Sequence, residues 1–220
     1  IKVHYHLVDD PNSYPHLKLY MQYMLREIID IDTVISPNRI LLKSYGQNAK
    51  RNYHFPHPFS NSIKPTQSYL KVTKRKKNIV YAGTFADWID FKLIKEISEY
   101  FIEYKIILIG KPARNISNEN LKRVFRKTPN LKIMNPLNRK DLHEFLLTSS
   151  VGIIPYKNTL LHIKHCSPSK IMDYLGCGLP IVSTEIPYCI NHKYVQTSKT
   201  NFEFKNDLAK FNICLEILSG

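Results

Sequence analysis

The sequence has no apolar run long enough to span a bilayer, no Cys-x-x-Cys pair, no internal repeat and no low-complexity tract. A spanning helix needs about 20 predominantly apolar residues, so the first absence excludes one. The second removes zinc knuckles and dithiol redox motifs. The four cysteines, Cys166, Cys177, Cys189 and Cys214, are a poor disulfide framework for 220 residues and read as reduced thiols of a cytoplasmic protein. No signal-peptide pattern follows Ile1, and Ile in place of Met reads either as a fragment of a longer chain or as a whole chain with a truncated amino-terminal domain. Acidic residues are also few. Against 32 Lys and Arg there are 18 Asp and Glu, a net charge of +14. Such an excess favours anionic partners: nucleic acid, acidic lipid headgroups or phosphorylated small molecules. No helix-turn-helix, RNA-recognition or zinc-finger signature accompanies the charge, which argues against nucleic acid. The runs Lys74-Arg75-Lys76-Lys77, Lys122-Arg123, Arg126-Lys127 and Arg139-Lys140 read mainly as solvated loops and helix faces.

What is present is 43% hydrophobic residues, enough for a sizeable core and too many for a disordered chain. Apolar residues recur at helical spacing over Leu17–Ile31. Strands are expected at Val3–Val8, Thr33–Ser36 and Tyr53–Phe55. A helix is expected at Asn38–Tyr45, with Pro37 in its first turn and Gly46 closing it. Pro56-His57-Pro58 breaks the pattern and marks a boundary near residue 58. Beyond the basic linker, strands and helices alternate. Strands are expected at Ile79–Ala82, Lys105–Ile109, Leu131–Met134, Val151–Pro155 and Ile181–Ser183. Helices are expected at Asp90–Tyr104, Asn118–Lys127, Arg139–Leu147 (capped by Asn138), Ser169–Leu175 and Asp207–Leu218. Strands rich in Ile and Val, each followed by a helix, predict an α/β fold: a Rossmann-like parallel sheet with helices on both faces, plus a partial second α/β domain. The expected division is 1–58 as a smaller amino-terminal domain, 59–78 as linker and 79–220 as the main domain.

Ligands of such sheets sit at the carboxyl ends of the strands. That directs attention to Gly83-Thr84-Phe85, Gly110-Lys111, Asn135, Pro155-Tyr156 and Thr184-Glu185. The stretch Ser167–Ser183 is the most informative. Ser167 can cap a helix that begins near Pro168, and amides at a helix start favour a phosphate. Lys170 opposes the helix dipole there, which makes sense if an anion is bound. Asp173 lies one turn past Ser169, where a carboxylate can accept both hydroxyls of a ribose. Gly176 and Gly178 supply a tight return, and Pro180 opens the next strand.

In these residues the chain resembles the carboxyl-terminal donor domain of GT-B glycosyltransferases of the family 4 type. That group has Glu-x7-Glu on a helix, followed by Ala-Met-Ala-x-Gly-x-Pro-Val-Val. Here Asp173 stands for the second Glu, and Tyr174-Leu175-Gly176-Cys177-Gly178-Leu179-Pro180-Ile181-Val182 follows in register, while His165 holds the place of the first Glu. Pro168-Ser169-Lys170 and Tyr81-Ala82-Gly83-Thr84 look like a bacterial polysaccharide subgroup. The resemblance implies a transferase that moves a sugar from a UDP- or GDP-type nucleoside diphosphate sugar to a glycan or lipid-linked acceptor in polysaccharide synthesis. It makes 1–58 the remnant of an acceptor-side domain. It implies Asp173 at the ribose, and Ser167, Pro168, Ser169 and Lys170 at the diphosphate. Gly83 and Thr84 would let the diphosphate approach, Asn135 and Leu137 would line the base pocket, Tyr156 would flank the donor, and His165 would face the sugar. Family members carry an Arg and a Lys-Gly after the first strand. This chain has Phe85-Ala86-Asp87-Trp88 there, so Lys111, Arg114 or Lys170 would supply the charge. Asp9 and Asp10, at a strand end, are base candidates or turn caps. No metal or cofactor is required by these motifs, and His4-x-His6 lacks further ligands at metal spacing. The basic surface would dock the protein on an anionic membrane at the cytoplasmic face. Two other readings remain: an epimerase acting on the nucleotide sugar, and a non-catalytic basic binding module.

Overall fold

A computed structural model of the chain describes residues 2, 4–13, 19–20, 23, 31–58, 75–114, 116–190 and 192–217. The helix expected at Leu17–Ile31 and the linker up to Lys74 lie mostly outside these residues. The chain divides into two compact units, Ile1–Pro58 with Asn158–Ser169, and Phe59–Lys157 with Lys170–Gly220. Where the sequence division keeps 79–220 in one piece, the structure gives Asn158–Ser169 to the first unit.

The first unit holds a three-stranded parallel sheet in the order β1 (His4–His6), β2 (Thr33–Ser36), β3 (Asn52–His54). Helix α1 (Arg39–Tyr45) connects β2 to β3. Pro37 does not open this helix. Asn38 is its N-cap, with Oδ1 accepting from the Ile40 amide at 2.8 Å, so proline sits one residue outside. Leu7, Ile31, Val34, Leu41 and Leu42 form the core, with Tyr5, Tyr45 and Ala49 against it.

The second unit is a six-stranded parallel sheet in the order β6-β5-β4-β7-β8-β9. Its strands are β4 (Asn78–Ala82), β5 (Lys105–Ile109), β6 (Leu131–Met134), β7 (Val151–Ile154), β8 (Ile181–Thr184) and β9 (Val195–Ser198). Every residue of β4 and β7 is buried, so both faces of the sheet are covered. The helices are α2 (Phe91–Tyr100), α3 (Asn118–Val124), α4 (Arg139–Leu147), α6 (Lys170–Gly176), α7 (Pro187–Ile190) and α8 (Asn201–Ile217). The short α5 (Leu161–Lys164) belongs to the first unit. Asp90, Ser117 and Asn138 cap α2, α3 and α4 through side-chain oxygens. Helix α2 stops at Tyr100 rather than Tyr104, because Phe101 and Tyr104 turn into the core. β9 and α7 have no periodic apolar signal, and the sequence pattern does not predict them.

This strand order reverses direction between β4 and β7, the doubly wound switch point where ligands bind. β4 pairs with β5 along all five residues but with β7 only at Ile79 and Val80. The buried phenol of Tyr174 enters the split: its Oη accepts the Ala82 N–H at 2.9 Å. Its ring lies over Gly152, where a Cβ would come within 2.6 Å of a ring carbon.

Candidate functional site

The carboxyl ends of β4, β5 and β7 are tied together by backbone. The Gly83 N–H donates to Ile109 O, Phe85 N–H to Lys111 O and Ala113 N–H to Phe85 O, at 2.8–2.9 Å. Phe85, Ala86 and Ile89 are core residues, so the segment after β4 is a buried strap rather than a loose loop. It is stitched to β7's extension by Asp90 N–H to Pro155 O and Lys157 N–H to Trp88 O. Gly110 has φ +158°, and a Cβ there would lie 1.9 Å from Gly83 O. The two strand-end glycines therefore touch, and neither end closes this way with a larger residue.

Lys170, the first residue of α6, reaches this point. Its Nζ donates to Tyr156 Oη and lies 5.1 and 4.7 Å from the ring centroids of Tyr81 and Tyr156. A Cβ on Gly83 would meet Lys170 Cε at 3.3 Å. Among the described residues no carboxylate pairs with this ammonium. Two aromatic faces and a hydroxyl hold the cation over the strand end without neutralising it. Tyr81 Oη donates to Thr84 O at 2.9 Å, and burial holds its phenol well above the usual range. Tyr156 is fixed in turn by a backbone–side-chain pair with Thr184: its N–H donates to Oγ1, and Oγ1 donates back to its carbonyl.

Of the cations expected to replace the missing Arg and Lys, Lys170 is therefore the one seated at the switch point. Lys111 and Arg114 are exposed in the segment that follows β5, and Thr84 is exposed beside Gly83. Gly83 offers space rather than a donor, since its N–H is already bonded. Asn135 and Leu137 lie between β6 and α4, exposed and half-buried. The same segment leads to Arg139, whose Nη2 donates to Asp173 Oδ1 at 3.0 Å, with His143 Nε2 at 3.5 Å from that oxygen. Asp173 is thus paired within the second unit rather than simply presented to solvent. Arg139 read from sequence as surface charge, and His143 gave no signal at all.

Ser167 does not cap a helix. Helix α6 starts at Lys170, three residues later, and Ser167 Oγ is buried without a hydrogen-bond partner among the described residues. Seven residues make only a small dipole, so the Lys170 side chain is the main positive feature there. Ser167, Pro168 and Ser169 belong to the first unit, where the Ser167 carbonyl contacts His57 Nε2 at 3.0 Å.

In that unit Asp10 and His165 meet directly, although 155 residues apart, through Oδ2 and Nδ1. Asp10 is 3% exposed, whereas Asp9 is exposed. Burial pushes the Asp10 carboxyl up, but hydrogen bonds from Tyr45 Oη, the Asn12 N–H and His165 outweigh it and leave it below its ordinary value. Burial and the Asp10 carboxylate push the Tyr45 phenol up to about 12. Among the described residues no group of three or more His, Cys, Asp or Glu is placed to hold a metal, and no helix is long and apolar enough to cross a membrane.

No protein-family model matches the chain. A Bacillus subtilis (strain 168) protein that carries the name teichuronic acid biosynthesis glycosyltransferase TuaH is 28% identical over 132 residues, covering 58% of this chain and 31% of its own length. The chain spans about a third of that curated relative. Anabaena HepE, solved with UDP and glucose, superposes with a TM-score of 0.69 at 14% identity, over 98% of this chain and 62% of its own. Pneumococcal GtfA, an O-GlcNAc transferase solved with UDP and GlcNAc, gives 0.62 at 14% identity over 90% of this chain and 41% of its own. TarM gives 0.66 at 11% identity over 90% and 40%. The parallel sheets, their strand order and these superpositions together show that the chain has the GT-B glycosyltransferase fold.

Proposed function

We propose that this chain binds a nucleoside diphosphate sugar in its second unit and serves the transfer of that sugar to a glycan or lipid-linked acceptor. The observation that carries the reading is the Lys170 ammonium, held by Tyr156 and Tyr81 over Gly83 at the switch point. A diphosphate there meets a fixed, half-buried cation that stabilises the charge growing on the leaving group. Lys111 and Arg114 add positive charge from the neighbouring segment. Asp173, oriented by Arg139 and His143, accepts the ribose hydroxyls, and Asn135 and Leu137 flank the base. HepE and GtfA were crystallised with UDP, which favours UDP over GDP as the carrier. These groups provide for the diphosphate without a metal. The +14 net charge suits an anionic membrane surface, where lipid-linked acceptors reside.

Calorimetry with UDP, GDP and their sugar conjugates tests the reading. Lys170→Ala removes a charge-assisted bond and should weaken UDP about 10- to 100-fold. Asp173→Ala should weaken UDP in a similar range. Wild-type affinity in both variants, or no binding by the wild type, refutes the site.

A further inference from the structure

The first unit contains a polar cluster that the donor site does not use. Asp10 Oδ1 accepts from Tyr45 Oη at 2.6 Å and from the Asn12 N–H at 2.9 Å, and Oδ2 takes His165 Nδ1. Asn12 Nδ2 donates to Tyr45 Oη at 2.7 Å, so the phenol's hydrogen is committed to Asp10. A carboxylate only accepts, so the hydrogen between Asp10 and His165 sits on Nδ1. The His165 backbone is held as well: its carbonyl accepts from Asn38 Nδ2 at 2.7 Å. The ring is anchored on one nitrogen and on its main chain, and its side chain remains 22% exposed.

We infer that Asp10 is a positioning residue that holds His165 in the Nδ1–H form, so that His165 Nε2 accepts the hydrogen of a sugar hydroxyl. The inference rests on the reading of this chain as a sugar transferase. The device resembles in logic any carboxylate that orders an imidazole and selects its tautomer. Tyr45 and Asn12 matter because they occupy Oδ1 and leave Oδ2 for the ring. The hydroxyl is the acceptor's, since the donor is read in the second unit and this cluster lies in the first.

Asp10→Asn inverts the arrangement at nearly constant shape. Two donors already face the Oδ1 position, so the amide NH2 takes the place of Oδ2 and points at His165 Nδ1. The ring must then accept there and carry its hydrogen on Nε2. Nitrogen NMR of histidine-labelled protein, assigned by loss of one signal in His165→Gln, should report Nδ1–H in the wild type and Nε2–H in Asp10→Asn. An unchanged tautomer overturns the inference. Binding and turnover then locate the hydroxyl. In both variants UDP affinity should hold. UDP-glucose affinity should hold as well, while the rate of UDP release from UDP-glucose falls. A fall in UDP-glucose affinity, or an unchanged rate in both variants, overturns the inference. Wild-type protein that binds neither UDP nor UDP-glucose overturns the donor-site reading instead, and the tautomer measurement stands apart from that result.

Discussion

Replacing Tyr174 by Phe probes how the switch point is held open. The ring is fully buried and stays in place over Gly152, while the hydroxyl that accepts the Ala82 N–H is lost. Ala82 is the last residue of β4, and β7 pairs no further than Val80, so no neighbouring strand replaces the acceptor. An amide left without a partner in a dry interior costs about 1–3 kcal/mol. The complete burial of Tyr174 argues for the middle of that range, ~2 kcal/mol, or a melting temperature lower by about 4–8 °C for a domain of this size. Trp88 is the single tryptophan and lies in the same unit, so its fluorescence follows the unfolding of this sheet in urea. The midpoint should fall with the slope unchanged. Hydrogen exchange at Ala82 should accelerate about 30-fold, the equivalent of ~2 kcal/mol. A variant with the wild-type midpoint and a still-protected Ala82 amide refutes the argument that Tyr174 satisfies this strand end.

Further outcomes follow from neighbouring contacts. Gly152→Ala puts a Cβ 2.6 Å from the Tyr174 ring and should cost about 1–3 kcal/mol by overpacking, read in the same urea titration. Arg75 is a half-buried clamp rather than a solvated linker residue. It donates to the carbonyls of Leu147 and Ser149 at the end of α4, and of Cys177 and Gly178 after α6. Arg75→Ala should therefore destabilise by about 2–3 kcal/mol, with Arg75→Lys recovering only part, since an ammonium lacks the planar fork. Burial pushes the Asp207 carboxyl up, but Lys210, Ser198 and Gln196 outweigh it and hold it below its ordinary 3.8. Its stabilisation is therefore present above that value and lost as pH falls through the lower, folded-state value. Asp207→Asn should flatten this acid limb of the urea midpoint against pH. UDP affinity should also fall with added salt, and less so in Lys170→Ala, because part of the attraction is screened charge.

The strands β2, β5 and β6 and the helix α4 with its Asn138 cap were legible because each is a local decision. Short apolar stretches bounded by turn residues favour extended chain, in β5 buried on both faces and in β6 left half-exposed, and an asparagine side chain can cap the helix that follows it. Gly83, Gly110 and Lys170 were legible as strand-end and helix-start residues for the same reason. The polar strand β9 and the short helices α5 and α7 were not, since what holds them lies on other elements. Ser167 looked like a cap by position alone, yet the chain delays α6 to Lys170, and its hydroxyl finds no partner among the described residues.

The chemistry-bearing residue types were thus in the sequence, but their partnerships were not. Periodicity determined the α/β class and the alternation that makes a parallel sheet. Strand order, which places the switch point between β4 and β7, came only from the tertiary structure, because no local signal records which strands pair. The same holds for Lys170 against Tyr81 and Tyr156, for Asp173 against Arg139 and His143, and for Asp10 against Tyr45 and His165. Each joins residues tens of positions or more apart, except Lys170 and Tyr156, which are 14 apart, and only the packed chain brings such groups within a hydrogen bond's reach.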